Sequence, residues 1–231
     1  MTNLHLIRHG EAEVNVRRVV GGMRGDTGLT PRGVLQAERL RDRLAGTGEI
    51  HADVLVASRL PRARQTAEIL APALGLPLTF EDDLRELDPG EADGMHLDEA
   101  VGRFGVPDFE REPTRPVSPG GESWSEFMAR VAGLLSRLSR THEGSTVVAV
   151  THGGVIDGAF VHFLRMGNTT FPGVQFATRH ASLTHWQRRP RLNLADGWRL
   201  CAYNDVLHLG DLDRPERIPW STLAVRRAST G

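Results

Sequence analysis

The chain has 231 residues, 39% of them hydrophobic, which suits one globular domain with a full core. A net charge of −1 leaves no bulk field for nucleic acid or acidic membranes, so any anion site must be local. The single cysteine, Cys201, excludes an internal disulfide or a multi-thiolate metal centre and fits a cytoplasmic protein; no apolar run reaches a membrane span, and the N-terminus lacks a signal-type core.

In chain order, residues 4–8 read as a buried strand. Thr30 and Pro31 offer an N-cap followed by proline at the first helical position, and Leu35, Leu40 and Leu44 give the helix that follows an apolar face. Residues 53–58 form an apolar strand of parallel-sheet type. Residues 62–70 are helical in character, and Pro72 is expected to end or kink that helix. Residues 78–80 make a short strand. The stretch 81–122 is rich in glycine, proline and charge, with one short helix expected near 98–104.

Ser123-x-x-Glu126 is a capping box. It opens a helix to about residue 140, with Phe127, Val131, Leu134, Leu135 and Leu138 on its apolar side. Residues 146–150 form a strand, 155–164 a helix, and 182–187 and 198–203 two late strands. Strands alternating with helices predict an α/β three-layer sandwich: a mostly parallel central sheet with helices on both faces. The whole chain reads as a single domain, with its core at about 4–209 and a frayed tail at about 215–231.

Ligands on such sheets bind at the carboxyl ends of strands. Arg8-His9-Gly10-Glu11 and Thr151-His152-Gly153-Gly154 lie at two such ends, and Ser58-Arg59 at a third. A neutral imidazole is a good nucleophile toward phosphorus, dividing transfer into two steps through a phosphohistidine. Fixed cations and donors around the phosphoryl oxygens are then the main catalytic resource, and arginine suits the task because its planar fork serves two oxygens and stays charged.

His9 and Arg8 fit this chemistry, and Arg62 is the arginine of the Ser58–Ala67 stretch expected in the pocket, with Arg59 and Arg64 on the surface. His152, as an imidazolium, would supply another cation, and the Gly153-Gly154 turn frees backbone N–H groups before a helix. Protonating a leaving oxygen needs a carboxyl group. Glu86, between Leu84 and Leu87, is the candidate; Asp82, Asp83, Asp88 and Glu91 are rivals on the same stretch.

These residues, in this order, resemble the histidine phosphatase superfamily, the phosphoglycerate mutase-like proteins, over about residues 4–209. Arg8-His9-Gly10-Glu11 looks like the family signature. Ser58-x-Leu60-x-Arg62-Ala63-x-Gln65-Thr66-Ala67 looks like its second motif, and Leu84-x-Glu86 like the proton-donor segment. Gly120-Gly121-Glu122-Ser123 and Asn204-Asp205-x-x-His208-Leu209 add to the likeness.

The resemblance implies His9 as phospho-acceptor with Nδ1 held by a backbone carbonyl, Arg8, Arg62 and His152 as phosphate ligands, and Glu86 as proton donor. It also implies Asn15 and the backbone around Gly22 as substrate contacts, no cofactor or metal, a small phosphorylated substrate and the possibility of a homodimer. Departures favour a phosphatase over a mutase. Gly21 stands where similar mutases usually carry threonine. Arg111 and Arg115 are separated and flanked by proline where those mutases pair arginines. His180 stands where asparagine is more usual.

A phosphotransferase or mutase is the alternative, and a non-catalytic phosphate-binding module a weaker one. A metal-dependent hydrolase is weaker still, because no helical His-x-x-x-His pair with carboxylate support exists. The segment 166–179 reads equally as a lid or as a core-packing loop.

Overall fold

The computed structural model describes residues 1–191 and 194–212. Six strands form one sheet in the order β3-β2-β4-β1-β5-β6, where β1 is Thr2–Arg8, β2 Val54–Ala57, β3 Leu78–Phe80, β4 Thr146–Thr151, β5 Leu183–Arg191 and β6 Leu194–Asp205. The first four run parallel. Only β5 is reversed, since it pairs antiparallel with both β1 and β6. The expected α/β sandwich with a mostly parallel sheet is therefore what the chain adopts. The expected tail at 215–231 lies outside the described residues.

Period-2 alternation divides the central strands between two cores. Leu4, Leu6, Val56, Val147 and Ala149 face one, covered by α5 (Trp124–Thr141) and α6 (Gly153–Phe163). Ile7, Leu55, Ala57, Val148 and Val150 face the other, covered by α2 (Pro31–Thr47) and α3 (Pro61–Leu74). Sheet strands covered on both sides must be apolar throughout, which is why 54–57 and 146–151 carry almost no polar residues. Among the described residues two smaller helices are added, α1 (Glu13–Arg17) and α4 (Leu97–Phe104). No helix among the described residues is long and apolar enough to cross a membrane.

The caps follow the expected chemistry. Thr30 Oγ1 accepts from the Gly33 N–H, and Ser123 and Glu126 close a reciprocal capping box, each worth about 1 kcal/mol. Two local expectations fail. The helix α3 runs through Pro72 and stops at Leu74, where Gly75 takes a left-handed conformation. Leu35 is 40% exposed, and Gln36 takes its place on the buried stripe beside Ala37, Leu40 and Leu44. The reason is polar: Gln36 Oε1 accepts the Glu11 N–H at 2.8 Å, which draws that face of the helix toward the loop after β1.

Segment 166–179 packs rather than standing free. Phe176 stacks on Phe160 at 4.1 Å, and Phe171 meets Trp124 edge-on at 4.9 Å. Phe109 joins the same cluster, so Trp124 and Phe109 are structural.

Candidate active site

Register brings the two histidine motifs together. Arg8 lies opposite Thr151 in the parallel ladder, so His9 and His152 leave neighbouring strand ends side by side. Their ring centroids are 5.2 Å apart, and His9 is 3% exposed. The His9 N–H donates to the Thr151 carbonyl. Behind it, Gly10 lies so close to Gly33 that a Cβ there would sit 2.4 Å from the Gly33 carbonyl oxygen. Only glycine lets the loop turn against the first turn of α2.

Hydrogen bonds set the tautomer of His9. A carbonyl can only accept, so Nδ1 carries the proton and donates to the Gly10 oxygen at 2.7 Å. Nε2 then carries a lone pair, which accepts from Arg62 Nε at 3.1 Å. Burial, followed by the charges of Arg62 and the neighbouring histidines, holds the His9 pKa well below the usual histidine range. The ring is therefore neutral, with its nucleophilic nitrogen turned toward the guanidinium.

Arg62 is itself fixed from behind. Its Nη1 donates to Asp26 Oδ2 at 2.9 Å and to the Gly21 carbonyl at 3.0 Å, and its backbone N–H also reaches Asp26 Oδ2. The Asp26 carboxylate is completely buried, and its Oδ1 takes the Gly28 N–H. Thr66 Oγ1 accepts from the Gly10 N–H and donates to the Arg62 carbonyl, tying α3 to the histidine loop. Arg8 reaches across the strand end to donate to the Thr178 carbonyl. Arg59 and Arg64 stay in exposed ion pairs with Asp82 and Glu68, as the surface reading of both expects.

His152 is fully buried at the N-cap of α6, and its Nε2 pairs with Ser58 Oγ at 2.9 Å. Three adjacent strand ends, β2, β4 and β1, thus contribute Ser58, His152 and His9. The expectation of an imidazolium at His152 needs correction. Burial first, then Arg62, Arg8 and Arg130, keep its pKa well below normal, so the ring is neutral. His180, visible in the sequence only as a departure from the family pattern, adds a third imidazole 5.5 Å from His9. Gly153, first residue of α6, lies against Arg8, with 3.7 Å between the position of a Cβ and Arg8 Nε.

Glu86 comes in from the loop after the 3₁₀ turn Asp82–Leu84. Its Oε2 accepts the Gly154 N–H at 3.1 Å and its Oε1 the Leu87 N–H at 3.0 Å. A Cβ on residue 154 would lie 2.2 Å from Glu86 Oε1, so the second glycine is what admits the carboxylate. The loop is clamped by Arg130, which donates to the carbonyls of Asp83, Arg85 and Glu86 while pairing with Glu122. The rivals serve elsewhere. Asp82 pairs with Arg59, Asp83 with Arg137 and Glu91 with Arg103, and Asp88 accepts the Gly90 N–H. Beside Glu86 opens a cavity of about 290 Å³ whose walls include Gly22, Arg24, Leu60, Arg85 and Asp93.

Asn15 and Gly22, expected as substrate contacts, each have a partner within the chain. The Asn15 side chain is exposed, and its Oδ1 accepts the Ala12 N–H at the start of α1. Gly22 does line the cavity, but its N–H already donates to Asp93 Oδ1 at 2.8 Å. Sequence reasoning overlooked Asp26, Arg130 and Asp93, and marked Glu122 only as part of a family-like motif. All four hold other groups in place, and nothing in the local sequence of the first three distinguishes them from exposed charges.

Neutral imidazoles and guanidiniums gather at the carboxyl ends of parallel strands, with the Glu86 carboxylate beside them, in an α/β fold. The chain belongs to the histidine phosphatase superfamily (branch 1), whose family model matches residues 4–204. It is 32% identical over 213 residues to a probable phosphoglycerate mutase GpmB of Citrobacter koseri, covering 90% of this chain and 95% of that protein.

Among solved structures it resembles a phosphoserine phosphatase of Entamoeba histolytica bound to phosphoserine. That match has a TM-score of 0.73 and 27% identity, and covers 90% of this chain and all of the other. A mycobacterial glucosyl-3-phosphoglycerate phosphatase in complex with VO3 matches with a TM-score of 0.72 and 26% identity, over 87% of this chain and 98% of the other.

Proposed function

We propose that the protein hydrolyses a small phosphomonoester through a phosphohistidine intermediate. The observation that carries the reading is the His9 ring, with its proton tied to the Gly10 carbonyl and its Nε2 lone pair turned into a cluster of cations and imidazoles. In the first step Nε2 attacks phosphorus in line, the bond to the leaving oxygen breaks, and Glu86 gives that oxygen a proton. Arg8, Arg62 and His152 receive the three equatorial oxygens as charge spreads over them. In the second step the Glu86 carboxylate takes a proton from water, the oxygen of that water attacks phosphorus, and the N–P bond breaks. His9 is regenerated and inorganic phosphate leaves.

The similarity to structures named as phosphatases, one holding phosphoserine and one VO3, supports hydrolysis of small phosphorylated molecules. The test is turnover of an aryl phosphate by the wild type and by His9→Ala. The variant is expected to lose all activity, and retained activity would refute the assignment.

Phosphoryl transfer is the second reading, favoured by the similarity to proteins named as probable phosphoglycerate mutases. It requires the phosphohistidine to outlive exchange of the leaving alcohol. An assay with an added acceptor alcohol separates the two, because transfer yields a new ester where hydrolysis yields only phosphate.

A further inference from the structure

One partly buried acid near the site has no part in the chemistry above. Asp157 stands on α6, four residues after Gly153 and three after Gly154, and so on the face those glycines present to the site. Side chains on a helix lean toward its N-terminus. The carboxyl of Asp157 therefore projects back over the turn where Gly153 meets Arg8 and Gly154 meets Glu86. Its Oδ1 is buried and has no hydrogen-bond partner among the described residues. An ionised carboxylate seldom remains in such a place, because each buried oxygen without a donor costs the full desolvation of that atom.

Three ionisable groups act on it, and a fourth shares its helix. Arg8 comes from β1 and Glu86 from the loop before α4. Tyr203 comes from β6, and His152 stands at the N-cap of α6 itself. Burial and the Glu86 charge raise the Asp157 pKa to about 7, with Arg8 opposing them. His9 and His152, both held far below that range, stay neutral across the same interval.

We infer that Asp157 is a positioning residue for the phosphoryl pocket, whose ionisation sets a negative charge against Arg8 and so weakens the hold of Arg8 on a bound anion. As a carboxylate it also adds a negative charge beside an incoming dianion. Linkage then fixes two consequences. Anion affinity falls as the pH rises through the titration of Asp157, and binding of an anion draws a proton onto it. The inference rests on the phosphate-pocket reading above but not on turnover.

Its test uses sulfate, a tetrahedral dianion of constant charge in this range, with the full-length wild type and Asp157→Asn. Calorimetry between about pH 6 and pH 8.5 is expected to show wild-type affinity falling by about tenfold more than that of the variant, the equivalent of one unit of pKa coupling. Equal pH dependence in the two proteins would overturn the inference.

A measurement on the wild type alone stands if Asp157→Asn fails to fold. Sulfate titrations near pH 7.5, in buffers of different ionisation enthalpy, should report proton uptake, and the absence of uptake would equally overturn the proposal. Loss of the hydrolase reading would show separately, as an inactive wild type that still binds sulfate in this pH-dependent way.

Discussion

Asp26→Asn tests the support of the pocket most directly. The substitution keeps the shape of the side chain and an acceptor for the Gly28 N–H, but sets a neutral amide where Arg62 Nη1 now meets a carboxylate at 2.9 Å. Both side chains are almost fully buried, 0% exposed for the aspartate and 5% for the arginine, so the guanidinium would keep its charge but lose the counter-ion it is bonded to, with Glu86 the remaining anion near it. Stranding one member of a buried pair costs about 3–5 kcal/mol. For a chain of this size that is a fall in melting temperature of about 6–20 °C. Arg62 also holds the His9 lone pair, and loosening a charge-assisted hydrogen bond should lower kcat/KM on an aryl phosphate by about ten- to hundredfold. Calorimetric melting, with kinetics run well below the transition of the variant, reads both effects. A second substitution, Arg62→Met, should recover part of the stability lost to Asp26→Asn, because it removes the stranded charge. Melting within about 2 °C of the wild type together with unchanged kcat/KM would refute the reasoning.

Three further outcomes are expected. Asp157→Asn should stabilise the fold at alkaline pH. The native pKa of about 7 lies some three units above that of an unfolded aspartate, so the penalty is absent below about pH 4, grows between about pH 4 and pH 7, and reaches at most about 4 kcal/mol above that; melting curves that separate at low pH instead would contradict the sign. Gly33→Ala places a Cβ 1.9 Å from the Glu11 carbonyl oxygen, and should cost at least about 1–3 kcal/mol in denaturant unfolding, with an unshifted midpoint counting against the packing described. Glu86→Gln should slow alkyl phosphates by about 10²–10⁴-fold but aryl phosphates with good leaving groups far less, and equal slowing of both would argue against an acid role.

The fold was legible where apolar spacing was regular. The residues 53–58 and 146–150 read as buried strands, and fold as Val54–Ala57 and Thr146–Thr151, because strands between two helix layers have little room for polar side chains. What stayed hidden depended on long-range polar partners. Gln36 lies inside and Leu35 outside because of a backbone N–H 25 residues away, which no periodicity shows. The groups expected to meet phosphate, His9, Arg8, Arg62, His152 and Glu86, gather at one edge of the sheet because each follows a strand or a strand-linked loop. Asp26 was illegible because an acid in a glycine-rich turn looks exposed until Arg62 is folded against it. Neutral His152 was missed for the same cause: its charge state depends on burial and on arginines contributed from other segments.

The contact between Arg62 and the His9 lone pair has a consequence for chemical selectivity. Arg62 Nε lies over the nitrogen that would attack, and a guanidinium leaves one acceptor only for a better one. A neutral electrophile offers nothing to draw it off, whereas the oxygens of a dianion do. On the proposed chemistry the arginine that receives the substrate oxygens also keeps the nitrogen masked from other electrophiles, and the cargo unlocks its own attacker on arrival.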